Sequence, residues 1–66
     1  MNLNEQQIKA IIYIKNREYI TNSIYQDICD VSERTALREL ANLTVREILT
    51  KTGKKKGTKY KLRKNR

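Results

Sequence analysis

Sixty-six residues with a formal charge of +8 make one domain near the lower size at which an apolar core alone holds a fold, which excludes a second domain or a deep substrate cavity. The chain has no histidine and one cysteine, no phosphate-cradling glycine loop and no acidic pair beside a cleft. It is therefore read as a binding protein rather than an enzyme, with no metal and no cofactor. The charge is uneven: residues 1–50 carry six basic against seven acidic side chains, whereas residues 51–66 carry nine basic and no acidic ones. A near-neutral body ending in a basic stretch suits a polyanion such as DNA or RNA.

At the N-terminus Asn4 is a candidate helix cap, with Gln7 able to close a capping box and Leu3 to act as a hydrophobic staple. A first helix is expected over Glu5–Asn16. Its Ile8, Ala10, Ile11, Ile12 and Ile14 span a wide arc, so this helix either buries more than a narrow stripe or offers part of it to a partner. Asn16-Arg17-Glu18 is a polar break, followed by a very short extended segment at Tyr19-Ile20. Thr21 and Asn22 are both good caps for a second helix over 22–29, in which Ile24 and Ile28 face inward with Tyr25 beside them. Cys29 can form no internal disulfide and reads as a small buried hydrophobe.

Asp30 interrupts the second helix before Val31 and the capping Ser32. A third helix should run from Glu33 to about Thr44. At 100° per residue Ala36, Leu40 and Leu43 cluster on one side, Arg34, Arg38, Ala41 and Val45 point away, and Thr35 and Asn42 flank the exposed side. Leu37 falls off the core stripe, on the flank of Glu33 and Thr44, where it can pack at the rim, touch a thymine methyl or meet another subunit; rim packing is the plainer expectation. Two short helices joined by a few residues, the second capped by serine, have the outline of a helix-turn-helix. The link contains no glycine.

Beyond the third helix the apolar period changes from near 3.6 to two. Ile48–Thr52 reads as a strand, Gly53–Gly57 as a flexible turn around Lys54, Lys55 and Lys56, and Thr58–Arg63 as a second strand. In that last strand Thr58, Tyr60 and Leu62 face one way and Lys59, Lys61 and Arg63 the other. Residues 64–66 form a basic tail. The whole is an α+β fold, a small winged helix over residues 1–63: three helices, the second and third forming a helix-turn-helix, then a C-terminal hairpin wing.

Residues along nearly the whole chain match a known pattern: Leu3-Asn4-Glu5-Gln6-Gln7, Tyr13-Ile14-Lys15, Ile20-Thr21-Asn22, Tyr25-Gln26, Val31-Ser32, Arg34-Thr35-Ala36, Arg38-Glu39-Leu40, Ile48-Leu49, and Gly53 through Gly57 with Thr58 and Tyr60. On these the chain resembles the winged helix-turn-helix at the C-terminal end of RecG-like transcriptional regulators related to ATP-dependent DNA helicases, that of some Fic-type proteins and, more loosely, DeoR-type regulators. Ile20-Thr21-Asn22, Val31-Ser32 and Thr35-Ala36 are the more specific of these matches. The resemblance implies binding of duplex DNA through the helix at 33–44 with the wing beside it. Two departures stand out. Glu47 occupies the helix exit where the family has glycine, and Leu37 stands where the family has a polar residue.

The reading that follows is a double-stranded DNA-binding module of a transcriptional regulator or helicase-related protein. Arg34 and Arg38 reach guanine acceptors or phosphates, and Ser32, Thr35 and Asn42 hold the helix against the DNA backbone. Lys54, Lys55 and Lys56 grip phosphates. Because Glu33 and Glu39 nearly balance the arginines of the helix, the wing is expected to supply most of the electrostatic affinity. Two other readings stay open, a protein-interaction module using the apolar first helix and RNA binding. Four tyrosines, two of them expected in the core, argue against a single-stranded target. No run is long enough to cross a bilayer and the N-terminus lacks the pattern of a signal peptide, so a cytoplasmic protein without membrane or small-molecule partners is expected. That the chain is part of a longer protein, and that it forms a homodimer, are both left open by the sequence.

Overall fold

The computed structural model describes residues 3–53 and 57–63. Three helices precede and flank a small antiparallel sheet: α1 (Glu5–Arg17), β1 (Tyr19–Ile20), α2 (Asn22–Cys29), α3 (Glu33–Val45), β2 (Leu49–Thr52) and β3 (Lys59–Leu62). This is an α+β, winged-helix-like layout. Strand order is β1-β3-β2. The two-residue β1 adds an edge to the hairpin by pairing Tyr19 with Lys61 and Ile20 with Tyr60, while Leu49 faces Leu62 and Lys51 faces Tyr60 across the hairpin.

Each helix starts where its cap says it should. Asn4 Oδ1 accepts from the Gln7 amide at 2.8 Å and Gln7 Oε1 accepts from the Asn4 amide at 3.2 Å, which closes the capping box. Thr21 caps α2 through the Ile24 amide, and Ser32 caps α3 through the Thr35 amide, each at 3.2 Å. These contacts satisfy donors that the first helical turn leaves open.

The exits are less ordinary. Glu18, Asp30 and Glu47 all adopt positive φ, at 83°, 55° and 65°, a region where a side chain costs about 1–2 kcal/mol relative to the right-handed one. Glu47 takes a left-handed conformation that glycine adopts most easily, so the turn out of α3 is made without a glycine: Ile48 then donates to the Leu43 carbonyl at 3.0 Å. The two long helices each run one residue further than expected, to Arg17 and Val45, and the strands are shorter, since Ile48, Thr58 and Arg63 lie outside them.

The core joins all three helices to the inner face of the sheet through Ala10, Ile14, Ile20, Tyr25, Cys29, Ala36, Leu40, Leu43, Leu49 and Tyr60. The α3 stripe and Tyr60 lie where the periodicity puts them. The second helix does not match: Tyr25 is fully buried, whereas Ile24 and Ile28 pack only partly against the core. The wide arc of α1 divides, with Gln7, Ala10 and Ile14 buried while Ile8 and Ile12 remain 46% and 55% exposed.

Tyr25 is drawn in by Glu39. Its hydroxyl donates to Glu39 Oε1 at 2.5 Å, and Asn4 Nδ2 donates to Glu39 Oε2 at 3.0 Å. Gln7, a buried polar residue, donates to the Glu39 carbonyl oxygen at 3.3 Å and to Asn42 Oδ1 at 3.1 Å. Glu39 therefore turns toward the helical core instead of balancing charge on the outward face of α3. Among the described residues every buried side-chain polar atom has a partner.

Bonds to a charged acceptor contribute about 1.5–3 kcal/mol each. Denaturant titration should accordingly show Glu39→Ala lowering the unfolding free energy by about 2–3 kcal/mol and Tyr25→Phe by about 1–2 kcal/mol, with the double variant costing less than the sum because one bond is shared.

Burial, reinforced by the Glu39 carboxylate, raises the Tyr25 phenol well above its ordinary value of 10.0. Burial also raises Tyr60, and it raises the Cys29 thiol from 9.0. A folded-state value above the unfolded one means that the unfolded chain sheds protons first as pH rises. The stability these groups contribute is therefore complete below about pH 9 and falls above it. Denaturation midpoints measured from pH 8 to 11 should decline with a slope that Tyr25→Phe makes shallower.

Candidate nucleic-acid interface

The cap at Ser32 and the stripe Ala36, Leu40 and Leu43 fix how α3 is rolled against the core, so Arg34, Arg38, Ala41 and Val45 stand on its solvent side, all of them exposed. Val45 is 81% exposed. Glu33 and Arg34 open the helix, and Arg38 lies one turn beyond Arg34. Glu39 is bonded on the flank toward α1 and Glu33 lies on the flank of Leu37, so the outward face carries two arginines and neither acid.

Ser32 and Thr35 are tied together twice. The Thr35 amide donates to Ser32 Oγ, and the Ser32 hydroxyl donates to Thr35 Oγ1 at 3.1 Å. The pair serves the helix start first, and the Thr35 hydroxyl is the group left to donate outward. Asn42 lies on the flank toward α1, its carbonyl oxygen accepting from Gln7. Arg38, Asn42 and Arg46 line a shallow cleft there with Asn4, Gln7 and Glu39.

On the opposite flank an open groove of about 490 Å³ runs between the start of α2, the start of α3 and the hairpin, lined by Thr21, Asn22, Ser23, Gln26, Glu33, Leu37, Lys51, Thr58 and Tyr60. Asn22 closes its helical wall by donating to the Glu33 carbonyl oxygen at 3.4 Å and accepting from Gln26 Nε2 at 2.6 Å. Leu37, expected at the rim of the core, is instead 53% exposed on the floor of this groove. Lys51 faces it from β2, on the same sheet face as Tyr60. Lys51 was not singled out from sequence; its place in the strand alternation opposite Tyr60 is the signal that marks it.

The outer face of the hairpin is basic, as the alternation predicts: Lys59, Lys61 and Arg63 are exposed while Tyr60 is buried. The Lys59 ammonium sits 4.6 Å from the centre of the Tyr19 ring, a cation–π contact that ties β1 to β3 at the surface. Lys54, Lys55 and Lys56, like the basic tail at 64–66, lie outside the described residues. The two glycines that bracket the lysines differ. Gly53 has φ 81° and a side chain there would collide with the Gly57 carbonyl group, whereas a side chain at Gly57 meets open space.

Among the described residues no three or more histidine, cysteine, aspartate or glutamate side chains gather as a metal site, and no helix is long and apolar enough to cross a membrane. No protein-family model matches the chain, and no curated protein matches it.

Gly53→Ala should strain the hairpin by about 1–2 kcal/mol or more, and Gly57→Ala should be close to neutral. Amide exchange along β2 and β3 checks this: protection at Lys51 and Tyr60 should fall in the first variant only.

Proposed function

We propose that this chain is a double-stranded DNA-binding module, acting within a transcriptional regulator or a helicase-related protein in the cytoplasm. The observation that carries the reading is the placement of Arg34 and Arg38 on the outward side of a serine-capped α3. The groove that holds Leu37 and Lys51 separates that helix from a hairpin rich in basic residues. An α-helix of this kind fits the major groove, where an arginine can donate two hydrogen bonds to guanine, and Leu37 can meet a thymine methyl.

The two kinds of positive charge have different roles. A bidentate arginine discriminates between bases by about 1–3 kcal/mol, whereas lysines on phosphates add affinity through counterion release and carry little sequence information. Lys51 belongs with the second group, beside Lys54, Lys55 and Lys56. No reacting group is called for, and a free Cys29 kept buried suits a reducing compartment.

Titration of labelled duplexes at several salt concentrations tests this. Arg38→Ala should narrow the difference between preferred and random duplexes by roughly tenfold or more. Replacing Lys54, Lys55 and Lys56 by alanine should weaken every duplex alike and flatten the slope of log affinity against log salt by about one for each lysine on a phosphate. Tighter binding to duplex RNA than to duplex DNA would overturn the reading.

A further inference from the structure

Ile8 and Ile12 are large aliphatic side chains left in solvent on a helix whose other apolar residues are used. They do not stand alone. At 100° per residue Glu5, Ile8, Ile12 and Lys15 fall within an arc of about 80° on the side of α1 away from the core, and all four are exposed. Their spacing of three, four and three residues is that of the seam of a two-helix coiled coil. The order along this seam is acid, isoleucine, isoleucine, base, over a length of about 15 Å.

That order is complementary to its own reverse. When a second α1 is laid antiparallel with the two-fold axis level with residue 10, Ile8 meets the partner's Ile12. Glu5 meets the partner's Lys15 at each end, and both contacts recur by symmetry, as an isologous interface requires. A parallel pairing in the same seam instead sets Glu5 against a second Glu5 and Lys15 against a second Lys15. Charge thus selects one direction. Nearby, Ile28 of α2 shares a shallow cleft with Ile12 and Tyr13 and widens the apolar surface on one flank.

We infer that the outer face of α1 is a self-association surface, on which two copies of this chain pair through antiparallel α1 helices, Ile8 on Ile12 and Glu5 with Lys15. Two isoleucines per copy form a small seam compared with the 1,200–2,000 Å² of a standard stable interface. The dimer is therefore a weak one, with a dissociation constant in the range of roughly 10 µM to 1 mM. Arg34, Arg38 and Lys51 lie on other elements, so pairing and nucleic-acid binding are separable by mutation, and the inference does not rest on the proposed function.

Sedimentation equilibrium of the full chain from micromolar to millimolar concentration tests the pairing, with circular dichroism melts to confirm that each variant is folded. The wild-type chain should move from its monomer mass of 7.8 kDa toward twice that value. Ile12→Ala, Glu5→Lys and Lys15→Glu should each weaken the association at least about tenfold, and the double variant Glu5→Lys/Lys15→Glu should regain most of what the single reversals lose. Three results would overturn the proposal: a wild-type chain that stays monomeric at millimolar concentration, a double reversal no better than the singles, or association that Ile12→Ala leaves intact.

Discussion

The Glu39 carboxylate is the contact on which the arrangement of the three helices depends. It lies on α3, accepts from the Tyr25 hydroxyl of α2 through one oxygen, and accepts from the Asn4 side chain at the start of α1 through the other. A chain of this size buries few large side chains; those fully enclosed are Tyr25, Ile14, Ile20, Leu40, Leu43 and Leu49. Apolar burial of that extent is non-directional and tolerates more than one roll of a helix. A carboxylate bonded to two different helices does not, because each oxygen is matched to one donor and rotation of α3 breaks both bonds at once.

The same node explains why Gln7 and Asn4 do two jobs each. Their capping box sets the start of α1, and their side-chain amides then reach α3, Asn4 at the Glu39 carboxylate and Gln7 at the Glu39 carbonyl oxygen and Asn42. Local and tertiary order are coupled through two residues. The roll of α3 that presents Arg34 and Arg38 outward is thus held from the flank facing α1, where Arg38 lines the same cleft as Glu39 and Asn42.

What was legible in the sequence was what local chemistry decides. Asn4 with Gln7, and Ser32 with Thr35, mark helix starts because a cap bonds only within its own first turn. Ala36, Leu40 and Leu43, and the alternation from Thr58 to Arg63, mark buried faces because a periodic pattern needs no knowledge of what covers it. Periodicity sets Tyr25 beside Ile24 and Ile28 but does not mark it as the most buried of the three, because its acceptor lies fourteen residues away. A count of charge along α3 misses the direction of Glu39 for the same reason. The helix exits near Glu18, Asp30 and Glu47 are legible as polar breaks, but their positive φ is not, since none of the three is a glycine. For the candidate interface, Arg34 and Arg38 could be placed from helical phase alone. Lys51 and the groove at Leu37 could not, because they arise from the pairing of Lys51 with Tyr60 across the hairpin.

Turning Glu39 inward also alters the electrostatics of the outward face. Counted along the helix, α3 sets Glu33 and Glu39 against Arg34 and Arg38 and comes out neutral. Counted by direction, Glu39 keeps its charge but holds it on the flank toward α1, where Tyr25 and Asn4 donate to it, and Glu33 lies on the groove flank beside Leu37, so neither acid shares the outward side with Arg34 and Arg38. The outward face of α3 is therefore positive by itself, whatever charge the hairpin adds. The interaction that holds the three helices together is thus also the one that leaves the outward face of α3 positive.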